Sequence, residues 1–389
     1  MGICVQQWIM RFWRSILHLS SLSVLLLIAC HRYINLQLAP AGIQHPPRHI
    51  ALLLPLQGYW GTFAQAIRIG FESANAASTQ AIKISVIDTS PPNTIQAAYR
   101  KSIQQGAALI VGPLLKSEVQ QLANEPSLQI PVLTLNYLEG QRRPIAHFYQ
   151  FGLSPLDEAK QAAFHAWQRQ HRSAVIIAPN TPWGTAVAQA FHNQWEHLGG
   201  HVMDRLQYAE SASLSQLSDQ LRAFLKFTPP HNRREDFEII FLAATPTLAR
   251  QLNPLLGFYF AAKVPIYATA LVYDSTVPTR LNRDLDTIIF CDTPWHLGLY
   301  SYETHLRNQL AARESQQAFK QYASYYALGV DAFHIAMRLS HFDQDEALVL
   351  SGATGLLSLN KARQITRTLP CAQFKRGIAI VESTAQKAQ

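Results

Sequence analysis

Apolar and polar residues follow one another along most of the chain in the order of strand, helix and strand. His49–Leu54 is a continuous apolar run after its histidine, which is typical of a strand buried on both faces. Residues 64–77 repeat apolar positions at helical spacing, and Lys83–Asp88 predicts the next strand. The prediction continues with helices at 94–105, 116–124, 154–170, 185–198, 213–227 and 247–255, and with strands at 108–111, 131–135, 148–153, 173–178, 201–208, 237–243 and 264–268. This alternation favours parallel sheets flanked by helices.

The alternation pauses at 139–144 and then restarts, which indicates two lobes that each contain a mainly parallel sheet. We expect lobe 1 at 48–148, with 272–340 returning to it, and lobe 2 at 149–271, with 341–389 returning to it. The later part of the chain predicts a strand at 288–291, a helix at 325–339 and a strand-rich tail from 347. Open α/β sheets place a crevice at the carboxyl ends of their strands, so we expect a hinged body with a cleft between the lobes.

The chain starts with a segment that resembles a bacterial lipoprotein signal. Arg11 and Arg14 precede an apolar run that ends in Ala29 and Cys30, and no acidic residue occurs before Glu72. We therefore expect residues 1–29 to be a signal peptide and 30–47 to be a lipidated Cys30 with a proline-containing tether. An uncleaved single-pass anchor is the alternative. Because residue 31 is not Asp, we expect the outer membrane, with the body facing the periplasm.

Composition and charge limit the classes of partner. A hydrophobic content of 48% with 15% charged residues indicates a globular body. The net charge of +8 favours an anionic partner, but an exported protein rarely meets nucleic acid. Anionic lipid headgroups, an anionic glycan-peptide polymer or an acidic protein are therefore the better candidates. In an oxidising compartment Cys291 and Cys371 either form a disulfide or remain two buried thiols.

Sequence motifs for catalysis and cofactor binding are missing. The chain has no phosphate-binding glycine loop, no clustered histidine ligands and no visible pair of nucleophile and base, so we predict no catalytic residue, no metal and no cofactor. Residues 351–355 resemble a nucleophile elbow only loosely, and we interpret them as a turn.

The loops that border the predicted cleft carry the candidate binding residues. Aromatic side chains in such loops can stack on a ligand, or they can simply cover the ends of the sheets. The candidates for the cleft are Tyr59, Trp60, Asn136, Tyr137 and Trp183. For a receptor of amino acids, the polar groups available are Thr134, Asn136 and Tyr137, with Asp274 near the crossing between lobes.

Several segments together resemble a known family. Residues 50–56 (IALLLPL) are similar to the opening of type I periplasmic-binding-protein folds, and 111–114 (VGPL) to a third-strand exit. Residues 151–159 (FGLSPLDEA), 326–332 (YALGVDA) and 351–357 (SGATGLL) are similar to later motifs of the LpoA (LppC) family of outer-membrane lipoproteins. The order of these motifs, which extend over about 48–377, is more specific than any one of them.

The resemblance implies a regulator that is not itself an enzyme. Members of this family bind a bifunctional penicillin-binding protein, a peptidoglycan synthase of the inner membrane, and activate its cross-linking activity, which influences cell shape. Longer members carry a helical-repeat domain before the two-lobed domain, where this chain has a short tether. The alternative function that the same fold serves is a solute-binding lipoprotein of a transporter, for amino acids or muropeptides.

Overall fold

The computed structural model describes residues 46–138, 140, 143–229, 232–299, 304–345 and 347–382. The predicted signal peptide, Cys30 and the tether as far as residue 45 lie outside this part. The strands are β1 (His49–Leu54), β2 (Lys83–Asp88), β3 (Leu109–Val111), β4 (Val132–Thr134), β5 (Phe148–Gln150), β6 (Ser173–Pro179), β7 (His201–Tyr208), β8 (Ile239–Leu242), β9 (Ile266–Thr269), β10 (Ile289–Cys291), β11 (Val349–Ser351), β12 (Leu356–Leu359), β13 (Ile365–Thr368), β14 (Cys371–Lys375) and β15 (Ile378–Val381).

The α-helices alternate with the strands through residue 256, as the periodicity predicts. They are α1 (Gly61–Ala77), α2 (Ile95–Gln104), α3 (Lys116–Ala123), α4 (Pro155–Gln168), α5 (Pro182–His197), α6 (Leu214–Phe224), α7 (Pro246–Leu256), α8 (Thr304–Arg313) and α9 (Gln316–Gln344). In the part of the chain that the structure describes, none of these helices combines the length and the apolarity that crossing a bilayer requires.

Local sequence explains where several helices begin. The side chains of Thr94, Ser154 and Thr181 each accept a hydrogen bond from a backbone N–H in the first turn of the helix that follows. Ser213 and Gln216 form a reciprocal capping box at the start of α6. Proline stands at the first positions of α4, α5 and α7, where its missing N–H costs no helical hydrogen bond.

Two separate sheets form the body. The first is entirely parallel, in the order β2-β1-β3-β4-β5, and the second has the order β15-β14-β10-β9-β8-β6-β7. In the second sheet β6 to β10 are parallel, whereas β14 and β15 are antiparallel additions at one edge. β11 to β13 form a small antiparallel sheet of their own. The predicted fold class, a mixed α/β body with parallel sheets, is therefore confirmed.

The lobe boundaries expected from the sequence differ from the strand pairing at two places. β10 pairs with β9, so the segment up to residue 291 stays with the second sheet instead of returning to the first. The reason is that Ile289–Cys291 is buried on both faces and extends an existing apolar sheet. Conversely, β5 pairs with β4, so residues 149 and 150 belong to the first sheet.

Helix α9 was expected at 325–339, but it begins at Gln316 and continues to Gln344. It packs against α1 so closely that the two backbones touch at two glycines. A Cβ built on Gly329 would lie 2.0 Å from the carbonyl oxygen of Ile67, and one on Gly70 would lie 2.1 Å from that of Tyr326. These contacts attach the long helix to the first lobe.

The two remaining cysteines lie directly opposite each other in the second sheet. Cys291 of β10 and Cys371 of β14 are register partners and form a disulfide with an S–S distance of 2.04 Å. Of the two alternatives that the sequence left open, the structure contains the disulfide. It connects the parallel part of the sheet to its antiparallel edge.

Candidate functional site

The carboxyl ends of the first sheet border a cavity of about 450 Å³, which we call the aromatic cavity. Its lining residues come from the segments after β1, β3, β4 and β5 and from helix α9. Its lining is mostly apolar and consists of Trp60, Leu114, Leu115, Lys116, Ser117, Leu135, Asn136, Leu153, Tyr325 and Leu328.

A cluster of aromatic rings forms the rim of this cavity. The side chain of Tyr59 is 78% exposed and that of Trp60 is 39% exposed, and their ring centroids lie 4.9 Å apart. Beneath them the ring of Phe63 lies 5.5 Å from Trp60 and 4.9 Å from Tyr325. Such edge-to-face and tilted contacts are favourable, so the two exposed rings are supported from below.

The polar candidates of the cleft serve the local structure. The hydroxyl of Thr134 donates to the backbone carbonyl of Asn136 at 2.7 Å. The amide of Asn136 donates to the carbonyl of Leu114 at 3.1 Å and accepts from the N–H of Tyr137 at 3.0 Å. The hydroxyl of Tyr137 donates to the carbonyl of Ile365 at 2.7 Å, and burial raises its pKa far above the usual range. These bonds fix the loop after β4 to its neighbours.

The structure does not bring all of the predicted cleft residues together. Trp60 and Asn136 line the aromatic cavity, and Tyr59 lies on its rim. Trp183 instead packs against the apolar core beneath α5, in the second lobe. Asp274 accepts hydrogen bonds from the N–H and the hydroxyl of Thr276, at 2.9 and 2.5 Å, within its own turn.

Charged groups at the start of α4 connect this helix to two neighbouring segments. The buried Arg367 of β13 donates to the carbonyl of Ser154 at 3.1 Å, and its Nε lies 3.7 Å from Oδ2 of Asp157. Glu158 accepts a hydrogen bond from the N–H of Ala270 at 2.9 Å. Desolvation, together with the nearby negative charge of Asp292, raises the pKa of Glu158 to about 8. These contacts tie α4 to the small sheet and to the loop after β9.

Two polar side chains after β10 and one after β9 form a hydrogen-bonded chain. Nδ1 of His296 lies 2.5 Å from Oδ2 of the buried Asp292, and Nε2 of His296 lies 3.0 Å from Oγ of Ser275. Burial alone lowers the pKa of His296, but the charge and hydrogen bond of Asp292 outweigh it and raise that pKa above its ordinary value. We call these three side chains the Asp–His–Ser relay.

The relay contains the three residue types of the triad in serine hydrolases. The hydroxyl of Ser275 lies 3.4 Å from the carbonyl of Lys320 and 3.0 Å from Nε2 of His296. Both ring nitrogens of His296 therefore have a hydrogen-bond partner, Asp292 at Nδ1 and Ser275 at Nε2. Through Ser275 the relay connects the second sheet to helix α9.

The relay borders a second cavity of about 650 Å³, which we call the basic cavity. Its walls come from the segment after β9, from α8 and α9, and from the turn between β14 and β15. The lining residues are Tyr273, Ser275, Thr276, Val277, Pro278, Thr279, Asn282, His296, Arg307, Ala311, Gln316, Phe319, Lys320, Ala323, Gly377 and Ile378. Among the lining residues that the structure describes, the ionisable groups other than Tyr273 are the basic side chains of Arg307, Lys320 and His296.

The glycine-containing segment at 351–355 wraps around a buried carboxylate. Asp331 of α9 accepts hydrogen bonds from the N–H of Ala353 at 2.8 Å and from the N–H and hydroxyl of Thr354 at 2.7 and 2.6 Å. A Cβ on Gly352 would lie 2.7 Å from the same carboxylate. Burial raises the pKa of Asp331 to about 6, and the three hydrogen bonds oppose that rise. The segment is a structural turn, as expected.

A comparison of the whole sequence with known families now identifies the chain. The sequence model of the family described as "LppC putative lipoprotein" matches residues 35–377. The chain belongs to this family. The LpoA resemblance that the motifs indicated is therefore confirmed.

Two LppC-family relatives illustrate the extent of the similarity. The penicillin-binding protein activator LpoA of Yersinia pseudotuberculosis is 27% identical over 409 residues, which cover 85% of this chain and 60% of that protein. The activator LpoA of Haemophilus influenzae is 27% identical over 337 residues, which cover 85% of this chain and 54% of that protein. The chain thus spans little more than half the length of these relatives.

Solved structures agree with the LppC assignment. The C-domain of H. influenzae LpoA (YraM), a regulator of PBP1A, matches with a TM-score of 0.73 at 26% identity, covering 86% of this chain and 100% of that domain. An ABC transporter substrate-binding protein from Sphaerobacter thermophilus matches with a TM-score of 0.62 at 15% identity, covering 86% and 96%. At that identity the second match concerns the fold alone.

Sequence reasoning missed the relay and the basic cavity of this LppC-family chain. His296 was counted among scattered histidines, yet it lies four residues after Asp292, a spacing that places two side chains on one face of a helical turn. That spacing was the available signal for the pair. Ser275, 21 residues earlier, reaches the imidazole only through the tertiary fold. Among the residues that the structure describes, no group of three or more potential ligands is placed to hold a metal ion.

Proposed function

We propose that this chain is a lipoprotein that binds and activates a bifunctional penicillin-binding protein, a peptidoglycan synthase, and that it is a regulator and not itself an enzyme. The observation that carries the proposal is the family match over 35–377, combined with a fold that covers the entire C-domain of an LpoA regulator. Activation would promote peptidoglycan cross-linking and so influence cell shape.

The geometry of the aromatic cavity supports a protein partner over a solute at that position. A receptor for amino acids needs several polar side chains directed at the ligand. Here the side chains of Thr134, Asn136 and Tyr137 are hydrogen-bonded to the surrounding backbone. The exposed rings of Tyr59 and Trp60 instead resemble the aromatic anchors that are enriched in protein interfaces.

The direct test is a cross-linking assay with purified proteins. We expect the full chain, in mild detergent, to bind the bifunctional synthase of its own organism and to increase the fraction of cross-linked peptides that the synthase produces. A monofunctional transpeptidase from the same organism is the matched control. If the chain neither binds the synthase nor changes its products, the proposal is wrong.

We also propose that the chain is anchored by acylation at Cys30 in the outer membrane, with its body in the periplasm. The apolar run before Cys30 and the lipoprotein character of the family support this. We expect cells grown with an alkyne analogue of palmitate to label the chain, and Cys30→Ser to abolish the label. Cys4→Ser is the control and should keep it. Persistent labelling of Cys30→Ser would contradict the proposed site.

A further inference from the structure

The basic cavity has the size and the chemistry of a binding site for a small anion. Its volume of about 650 Å³ lies within the roughly 300–1,000 Å³ that small-molecule sites occupy. Its lining contains Arg307, Lys320 and the imidazole of His296, and none of the lining residues that the structure describes is acidic. An anion in this cavity would therefore meet attractive charges from the lining side chains.

Arg307 is held in a fixed orientation at the cavity. Its Nε donates to the carbonyl of Trp295 at 2.8 Å, and its guanidinium lies 5.5 Å from the centroid of the Phe319 ring. A guanidinium fixed at its Nε edge still has four N–H groups on its two terminal nitrogens. Two parallel N–H donors match the two oxygens of a carboxylate, which makes arginine the preferred partner for that group.

The lining also contains polar groups that are held in place. The imidazole of His296 lies between Oδ2 of the buried Asp292 and Oγ of Ser275, which keeps the ring oriented. Thr276 and Asn282 belong to the same lining. Phe319 and Val277 add apolar surface that can contact a short hydrocarbon segment.

We propose that the basic cavity binds a small organic molecule through a carboxylate group, which pairs with Arg307 and Lys320. The cavity is formed by segments of both lobes, because α9 packs on α1 of the first lobe while Ser275 and His296 follow strands of the second. A bound molecule therefore contacts both lobes and stabilises the arrangement in which they enclose it. This site is separate from the aromatic cavity and does not depend on the proposed activator function.

The test is a titration of the full chain, purified in mild detergent, with defined probes. Glutarate and L-alanyl-L-alanine carry carboxylates, alaninamide lacks one, and inorganic phosphate is a different anion. We expect the two carboxylate probes to raise the melting temperature and to give saturable heats in calorimetry, whereas alaninamide should do neither. Binding of phosphate but of neither carboxylate would overturn the assignment, and so would the absence of any effect at millimolar concentrations.

Substitutions then locate the site. Lys320 is exposed, so Lys320→Gln should fold normally. Combined with Arg307→Gln, this substitution should lower the carboxylate affinity at least tenfold. Arg313→Gln, on the exposed surface of the same helix α8 and outside the cavity lining, is the matched control and should bind as the unaltered chain does. Unchanged affinity in the well-folded Lys320→Gln and Arg307→Gln variants would refute the site. The two proposals can fail independently. A chain that binds carboxylates but does not activate the synthase would contradict the proposed function alone, and a chain that activates the synthase but binds no carboxylate would contradict this inference alone.

Discussion

The carboxylate of Asp331 organises the turn at 352–354, and replacing it by asparagine tests that role. The side chain is fully buried and accepts three short hydrogen bonds, two from backbone N–H groups and one from a hydroxyl. In Asp331→Asn one oxygen becomes an NH₂ group, which faces donors and leaves at least one of the backbone N–H groups without an acceptor.

The expected cost follows from these contacts. A buried donor that loses its partner costs about 1–3 kcal/mol, and hydrogen bonds to a charged group contribute about 1.5–3 kcal/mol each. The neutral amide avoids the burial penalty that raises the pKa of Asp331 to about 6, and this offsets part of the loss. We therefore expect Asp331→Asn to lower the free energy of unfolding by about 2–4 kcal/mol.

Urea unfolding of the purified chain, followed by tryptophan fluorescence, measures this change. Trp295 donates its backbone N–H to the carbonyl of Ala353 at 3.1 Å, so this tryptophan is directly attached to the affected turn. Asp219→Asn, an equal substitution at an exposed position of α6, is the control and should change the stability by no more than about 0.5 kcal/mol. A loss below about 1 kcal/mol in Asp331→Asn would refute the argument, because the turn would not depend on the carboxylate.

Three further predictions address packing, titration and the disulfide. Gly329→Ala should lower the unfolding free energy by more than about 3 kcal/mol in a urea titration, because the added methyl group would push α1 and α9 apart. Gly257→Ala is the control, because a methyl group fits there without a clash and should not destabilise the protein. The pKa of Glu158 is raised in the folded state to about 8, so its contribution to stability falls as the pH rises from about 4.5 to 8. In Glu158→Gln the melting temperature should therefore depend less on pH across this window than in the unaltered chain. Replacing both Cys291 and Cys371 by serine should cost about 2–5 kcal/mol, and an unchanged melting temperature would contradict this.

Much of the fold was accessible from the sequence because its signals are local. The continuous apolar run of β1 predicts a strand buried on both faces, and all six of its residues are buried. The cap at Ser154 followed by Pro155 predicts the start of α4, where the structure has it. The start of α9 was placed too late, although Ala318, Phe319, Tyr322 and Ala323 stand at helical spacing in its first turns and Phe319 and Ala323 are buried.

The candidate site could be predicted from the sequence to a much smaller extent than the fold. The sequence placed Asn136 and Tyr137 near a cleft, but their availability is decided by partners such as the carbonyl of Ile365, 228 residues away from Tyr137. The same holds for Ser275, which becomes part of the relay only when the loop after β9 meets the loop after β10. Pairs so distant along the chain leave no periodic pattern from which they can be read.

The sequence by itself determined the family and the alternation of strands and helices. These features depend on residues within a few positions of one another or on the order of short motifs. The tertiary structure alone decided that β10 joins the second sheet, that Asp331 is enclosed by a turn, and that Arg307 and His296 line the same cavity. The physical reason is that burial, hydrogen bonding and charge pairing of a side chain depend on neighbours in space, which the chain brings together only when it folds.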